Sequence, residues 1–461
     1  MAFLSKLFGS TAADRPKAEA FKTQGNAEMQ QGRLDKAETC YRQAIEADPD
    51  YMPAHYNLGN ALSQQRRFAE ALPAYRRAAE LVPDDYEIHI NLGAALKSLG
   101  RTEQALASFE KAHTLAPQAL EPVMNIAIVS LLLGRYDRAR KDFDAALDIS
   151  PDASIVHFNR AMLLMLLGEW EEGLKEHRYR LEVNREGFPA YVRSIPQWDG
   201  TASLAEKTVL IWPEQGLGDQ IQCLRYARLL RQNGAREIFV YAYPALVSLL
   251  ATSTDLDLIA PDGGPLPQRP DLMVSDMSLL DIFGPRPDLQ PLKLAPYPET
   301  TAEIATAPGL KVGVCWKGNP DHGRDAERSI PHETFWKHLS ATRGVSFFSF
   351  QIGSNEPCPA TPLAPMIDEF FDTAVLAKQL DLIVTVDTSL AHLGGTLGIP
   401  TWVLVTHSPD WRWGVSGDTT PWYDSVRIHR QAIAGDWPAL LGQVRLDLET
   451  LATTPDATAP T

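Results

Sequence analysis

The 461-residue sequence has only four cysteines, Cys40, Cys223, Cys315 and Cys358, with no CxxC pair and no zinc-ligand spacing among them. That excludes a disulfide framework and suits a reducing compartment. A basic surplus is also lacking. The formal net charge is -15, which argues against a general nucleic-acid binder, because such a protein needs a positive surface to displace phosphate counterions. No apolar run reaches the roughly 20 residues of a membrane-spanning helix. The opening Met1 to Phe8 is apolar but too short for a signal-peptide core. Its amphipathic pattern allows peripheral membrane contact, and a frayed terminus is the plainer reading. The expected location is the cytoplasm. No P-loop is present. GxGxxG is missing too: the first glycine-rich turn offers only Gly216 and Gly218, and the following strand ends at Tyr243-Pro244 without an acidic residue. A nicotinamide oxidoreductase is thereby excluded. Asp255 and Asp257 form a DxD, but in a loop before a strand and without glycine, a thin basis for a metal site.

What is present first is a period of 34 residues. It links Pro49, Pro83, Pro117 and Pro151, and likewise Gly25, Gly59, Gly93, Ala127 and Ala161. Ala37, Ala71, Ala105, Ala139 and Gly173 share it, as do Tyr41, Tyr75, Phe109 and Phe143, each followed three residues later by alanine. Small residues let two helices of a unit approach, the aromatic fills the gap between units, and proline ends the second helix. The register resembles the tetratricopeptide repeat over residues 15–185. Four full units and a partial fifth bury one continuous core, and the decay of the fifth at Gly173 and His177 predicts a capping helix. Asn57, Asn91, Asn125 and Asn159 keep the same period. A carboxamide both donates and accepts, so such a ladder can grip a peptide backbone whatever its side chains. It resembles the asparagine ladder of the O-GlcNAc transferases. The alternative is that asparagine is simply common at this repeat position.

Residues 186–206 lose the helical period and read as a connector. Two rounds of strand–helix alternation follow, over 207–283 and 310–452. They are separated by a proline-rich linker at 284–309 and followed by a tail at 453–461 expected to be disordered; residues 1–14 are read as a flexible tip. Expected strands are 208–212, 237–243, 256–259 and 272–274 in the first lobe. In the second they are 311–316, 345–350, 382–386 and 401–405. Alternation of this kind implies parallel sheets covered by helices. The expected fold class is α/β behind an all-α solenoid, with two Rossmann-like lobes and a ligand cleft at their strand carboxyl ends. That arrangement resembles the GT-B glycosyltransferases.

Three segments after expected strands can carry chemistry. In EQGLGDQ, Gly216 and Gly218 permit a tight turn and close approach to a ligand. Asp219 then either caps the next helix or acts as a general base. In VDTSLAHLGG, Asp387, Thr388 and Ser389 open a helix whose free N–H groups suit a diphosphate. Gly394 and Gly395 let that helix pack near the sheet, and His392 lies one turn inside as packing residue or participant. In WKGNP and the residues after it, Lys317, Arg324 and Arg328 can grip phosphates or form a solvated basic loop. Trp411, Trp413, Trp422 and Tyr423 suit core packing or stacking on a nucleobase.

EQGLGD, WKGNP, RSIP, VDTSLAHLGGTLGIPTWVL, PDWRW and PWY follow one another over about residues 205–440. In that order they resemble tetratricopeptide-linked glycosyltransferases of the ADP-heptose:lipopolysaccharide heptosyltransferase type. The resemblance implies an inverting, metal-independent transferase without cofactor, using a nucleotide-sugar donor. Asp219 would be its base, and Lys317, Arg328, Asp387, Thr388, Ser389 and His392 its donor-binding residues. The family has lysine where Arg328 stands here, so the donor's identity does not carry over. The repeats suggest a protein or peptide acceptor. The competing readings are a scaffold whose second domain binds nucleotide sugar without catalysis, and a transferase of cell-surface glycan synthesis.

Overall fold

A computed structural model describes residues 14–286, 289, 303–320, 322–354 and 356–453. The expected tip, tail and most of the proline-rich linker lie outside the described residues. The chain divides into two compact units, 1–159 and 160–461.

The first unit is a stack of helix pairs. Arg15–Gln30 pairs with Leu34–Ala47, Met52–Gln64 with Phe68–Leu81, Tyr86–Ser98 with Thr102–Leu115, and Leu120–Leu132 with Tyr136–Ile149. Each second helix stops two residues before its proline, as the missing N–H requires. The small residues act as expected: Ala37, Ala71, Ala105 and Ala139 are fully buried. A Cβ added at Gly25, Gly59 or Gly93 would lie 2.5, 2.6 or 2.7 Å from the ring of Tyr41, Tyr75 or Phe109. The aromatic therefore first fills the groove against its own pair's glycine, and Tyr41 also shares a cluster with Leu58, Ala61 and Leu62 of the next pair. A left-handed residue ends each first helix, at Gly32, Arg66, Gly100 and Gly134. Three histidines reinforce the junctions. His55, His89 and His157 reach the carbonyls of Pro49, Pro83 and Pro151 at 2.7, 2.9 and 2.8 Å.

The second unit holds two parallel sheets. β1 (Thr208–Trp212), β2 (Glu237–Ala242), β3 (Leu258–Pro261) and β4 (Leu272–Ser275) lie in the order β3-β2-β1-β4. β5 (Leu310–Cys315), β6 (Val345–Ser349), β7 (Thr361–Pro362), β8 (Leu382–Val386), β9 (Thr401–Val405) and β10 (Val426–Arg430) lie in the order β10-β9-β8-β5-β6-β7. The pairings are all parallel. Every residue of β1, β8 and β9 is buried, which is why these strands read as apolar runs rather than alternating ones. β7 and β10 were not legible, being two residues long or interrupted by charge. After β1 come helix Leu217–Cys223, a 3-10 turn and helix Ala227–Gln232.

Helix Trp170–His177 belongs to this second unit. Trp170 packs edge-on against Trp411 and Trp422, with centroids 6.3 and 5.2 Å away. His177 reaches Asp281 at 2.5 Å. The segment that closes the repeat register thus packs on both sheets' flanks. Among the described residues no helix is long and apolar enough to cross a membrane.

Candidate functional site

In each sheet the chain starts at a central strand and later returns to that strand's other side, β1 between β2 and β4, β5 between β6 and β8. Loops leaving the carboxyl ends at such reversals diverge and leave a crevice. Here a cavity of about 950 Å3 occupies that place. It is lined by the loops after β1 (Gly216, Gly218, Asp219), β5 (Lys317, Arg324, Arg328) and β8 (Asp387, Thr388, Ser389), together with His392. These residues span more than 170 positions of sequence, and all of them face one volume. Asp255 and Asp257 are elsewhere, tied to Arg228 and Arg231. Among the described residues no group of acidic, histidine or cysteine side chains could hold a metal ion.

Asp219 sits in the first turn of Leu217–Cys223. Its Oδ2 accepts from the Gly216 N–H at 2.8 Å, a capping bond, while its Oδ1 pairs with Arg412. Arg412 is the residue that sequence reasoning missed, although it stands inside the PDWRW motif between two tryptophans already singled out. Its guanidinium also donates to Asp410 at 2.9 Å and to Gln222 at 2.8 Å, and lies 4.0 Å above the Trp411 ring. Burial works against its charge, but Asp219 and Asp410 outweigh that and hold it charged. Burial also pulls on Asp410, whose carboxyl is nevertheless held low by Arg412.

Asp387 follows β8. Burial pushes its carboxyl up to about 6, repulsion from Asp410 adds to the shift, and Arg328 opposes it. Arg328 donates to the Asp387 carbonyl at 2.9 Å and approaches Asp325 at 3.4 Å, so it ties the β5 loop to the β8 loop. Thr388 is the N-cap residue of helix Ser389–Leu397, and its hydroxyl meets that of Thr385 at 3.0 Å. Lys317 points its ammonium at Glu356, 3.2 Å away.

His392 is buried. It shares a hydrogen bond with the Tyr423 hydroxyl at 3.0 Å and stacks on Trp413 at 5.5 Å. Burial, with Arg412 and Arg225 nearby, drops its pKa to about 3, so the ring is neutral at ordinary pH.

Gly216 and Gly218 both line the cavity. Gly216 has φ -78° and Gly218 is not among the positive-φ residues, so neither is needed for a left-handed turn. A Cβ on Gly218 would instead lie 2.7 Å from His392 Cδ2: this glycine lets helix Leu217–Cys223 press against helix Ser389–Leu397. Gly394 packs on Thr401 and Ile383 at the sheet, as expected, and Gly395 packs on the Tyr423 ring. Of the four late aromatics, Trp411, Trp413, Trp422 and Tyr423 are all buried, and Trp413 borders the cavity. Core packing accounts for Trp411, Trp422 and Tyr423.

The asparagine register falls on the first helix of each pair, but its members differ. Asn57 donates to Asn26 at 2.9 Å, Asn91 to the Tyr56 hydroxyl at 2.6 Å, and Asn159 to its own helix at Ile155. Asn125 is buried. The register is thus not presented uniformly to solvent.

A family model described as tetratricopeptide repeat matches residues 22–85, 56–119 and 127–180. No curated protein matches the chain. Among solved structures it is similar to MamA, with 18% identity over 37% of this chain and 93% of that one, TM-score 0.34. It is also similar to YrrB, described as a TPR protein with an unusual peptide-binding site, with 19% identity over 40% and 93%, TM-score 0.33. A third is PilF of Pseudomonas aeruginosa, with 23% identity over 39% and 80%, TM-score 0.33. The N-terminal region of this chain is a run of tetratricopeptide repeats, and a parallel-sheet α/β region follows it.

Proposed function

We propose that the two α/β lobes, residues 207–283 and 310–452, form an inverting glycosyltransferase of GT-B type that takes its sugar from a nucleotide-sugar donor, without a metal, and that the repeats recruit a protein acceptor. The observation that carries this reading is the single cavity in which Asp219 faces Lys317, Arg328 and the opening of helix Ser389–Leu397. A diphosphate needs fixed cations and free backbone N–H groups, and the β5 and β8 loops supply both kinds. An acceptor hydroxyl needs a base across from them. Each carboxylate oxygen has two lone-pair directions, so Asp219 keeps acceptor capacity beyond its bonds to Arg412 and Gly216.

In the proposed step Asp219 takes the acceptor O–H proton as that oxygen bonds to the anomeric carbon. The bond from this carbon to the diphosphate oxygen breaks, and its electron pair leaves with the diphosphate. Arg328, Lys317 and the amides near Ser389 stabilise the departing charge. Arg412 orients the base and does not itself exchange a proton, since arginine stays charged.

One observation favours the scaffold reading. Both Asp219 oxygens are already engaged, as in a purely structural cap. The test is calorimetric titration of the purified protein with a panel of nucleotide sugars, then mass spectrometry of candidate acceptor proteins incubated with the donor that binds. Donor binding with sugar addition supports the transferase. Donor binding without transfer to any acceptor, from an Asp219→Asn variant and the unaltered protein alike, supports the scaffold.

A further inference from the structure

The Asp219 loop is held from outside its own sheet. Arg180, in the short helix Arg180–Val183 that follows the repeats, is completely buried. Its guanidinium grips both Glu214 oxygens, at 2.8 and 3.0 Å, and also reaches Asp281, Ser278 at 2.8 Å and Ser275 at 3.3 Å. Glu214 opens the EQGLGD segment. Its own N–H donates to Asp276 at 3.2 Å, and two residues later the Gly216 N–H holds Asp219. Burying one cation among carboxylates is a poor way to gain stability, since apolar residues of similar volume often do as well or better. What a bidentate guanidinium–carboxylate pair supplies is direction: it fixes the orientation of one loop.

We infer that Arg180 is a positioning residue. Acting through Glu214, it sets the backbone of residues 213–219 and hence the place of the Asp219 carboxylate in the cavity. The helical segment that closes the repeat register is on this account part of the site's support. The structural half of the inference stands by itself; its kinetic consequence rests on the glycosyltransferase reading.

Removing Arg180 would strand buried carboxylates and risks the fold, so the test uses Glu214→Gln in the full chain, which keeps the shape and weakens the pair while leaving Arg180 on Asp281. Amide hydrogen exchange is read over 213–219, with Asp281→Asn as the control that loosens Arg180 without touching the loop. Glu214→Gln is expected to speed exchange of that segment by about tenfold or more, with β1 and β4 unchanged and a smaller effect from Asp281→Asn. In turnover it is expected to lower kcat by about 10- to 100-fold with donor Kd within about twofold, as for a displaced catalytic group. Unchanged exchange over 213–219 overturns the inference, as does undiminished kcat in a variant whose loop exchanges faster. Faster exchange in the variant, with no transfer even by the unaltered protein, upholds the positioning and overturns the transferase.

Discussion

Asp219 shows how one side chain can satisfy two readings at once. Its bond to the Gly216 amide is the cap that local sequence predicts, and its bond to Arg412 comes from a residue 193 positions away. Replacing it by asparagine keeps the size and much of the capping but removes the base. Under the proposed mechanism Asp219→Asn lowers transfer by about 100-fold or more with donor Kd little changed, measured by steady-state kinetics beside calorimetry. Asp387 makes a different prediction. Burial pushes its carboxyl up to about 6 from the ordinary 3.8. Between those values the folded state binds more protons than the unfolded one. Its contribution is therefore fully present below pH 4 and lost as pH rises through 6. Denaturant unfolding from pH 4 to 7 should show a decline of about 2–3 kcal/mol from this group, and Asp387→Asn should flatten it. An unaltered slope would remove Asp387 as its source.

At the scale of elements, close approach and turn geometry decide which residues are needed. Gly218→Ala would drive a methyl into His392, so the contact between helices Leu217–Cys223 and Ser389–Leu397 must give. Overpacking of this kind costs about 1–3 kcal/mol. The expected result is a lower melting temperature for the α/β unit with the repeat unit's transition unmoved. Arg66 makes the opposite case. It holds φ 60° where the other three turns of the first unit use glycine. Arg66→Gly relieves roughly 1 kcal/mol of left-handed strain, partly offset by the added freedom of the unfolded chain. The repeat unit should melt higher, and a lower midpoint would mean that Arg66 is held by its side chain rather than tolerated.

For the molecule as a whole, a repeat stack followed by a separate compact α/β unit predicts two unfolding events. A nucleotide sugar at 100 times its Kd should add about 2.7 kcal/mol to the unit that binds it. Scanning calorimetry with the donor present should therefore raise the α/β transition and leave the repeat transition in place. A peptide acceptor should do the reverse. Movement of the repeat transition by the sugar would contradict the assignment of the cavity.

The tetratricopeptide register was legible because a helix pair has one length and one spacing, so alanine, glycine, aromatic and proline recur every 34 residues wherever the chain meets the same neighbour. The long strands were legible because burial on both faces leaves them apolar throughout. The segments carrying Asp219, Lys317, Arg328 and Asp387 stood out because each follows such a strand. Convergence was not legible: nothing local says that loops after β1, β5 and β8 line one cavity, since strand order is set by packing between distant segments. Arg412 and Arg180 were hidden for the same reason, as an arginine looks alike in sequence whether it meets water or a buried carboxylate. That Gly218 also makes room for His392 was not legible either, since that ring lies 174 residues further along. Periods and strands follow from interactions close along the chain; partners of buried charge, and the cavity they border, exist only once the sheets have closed together.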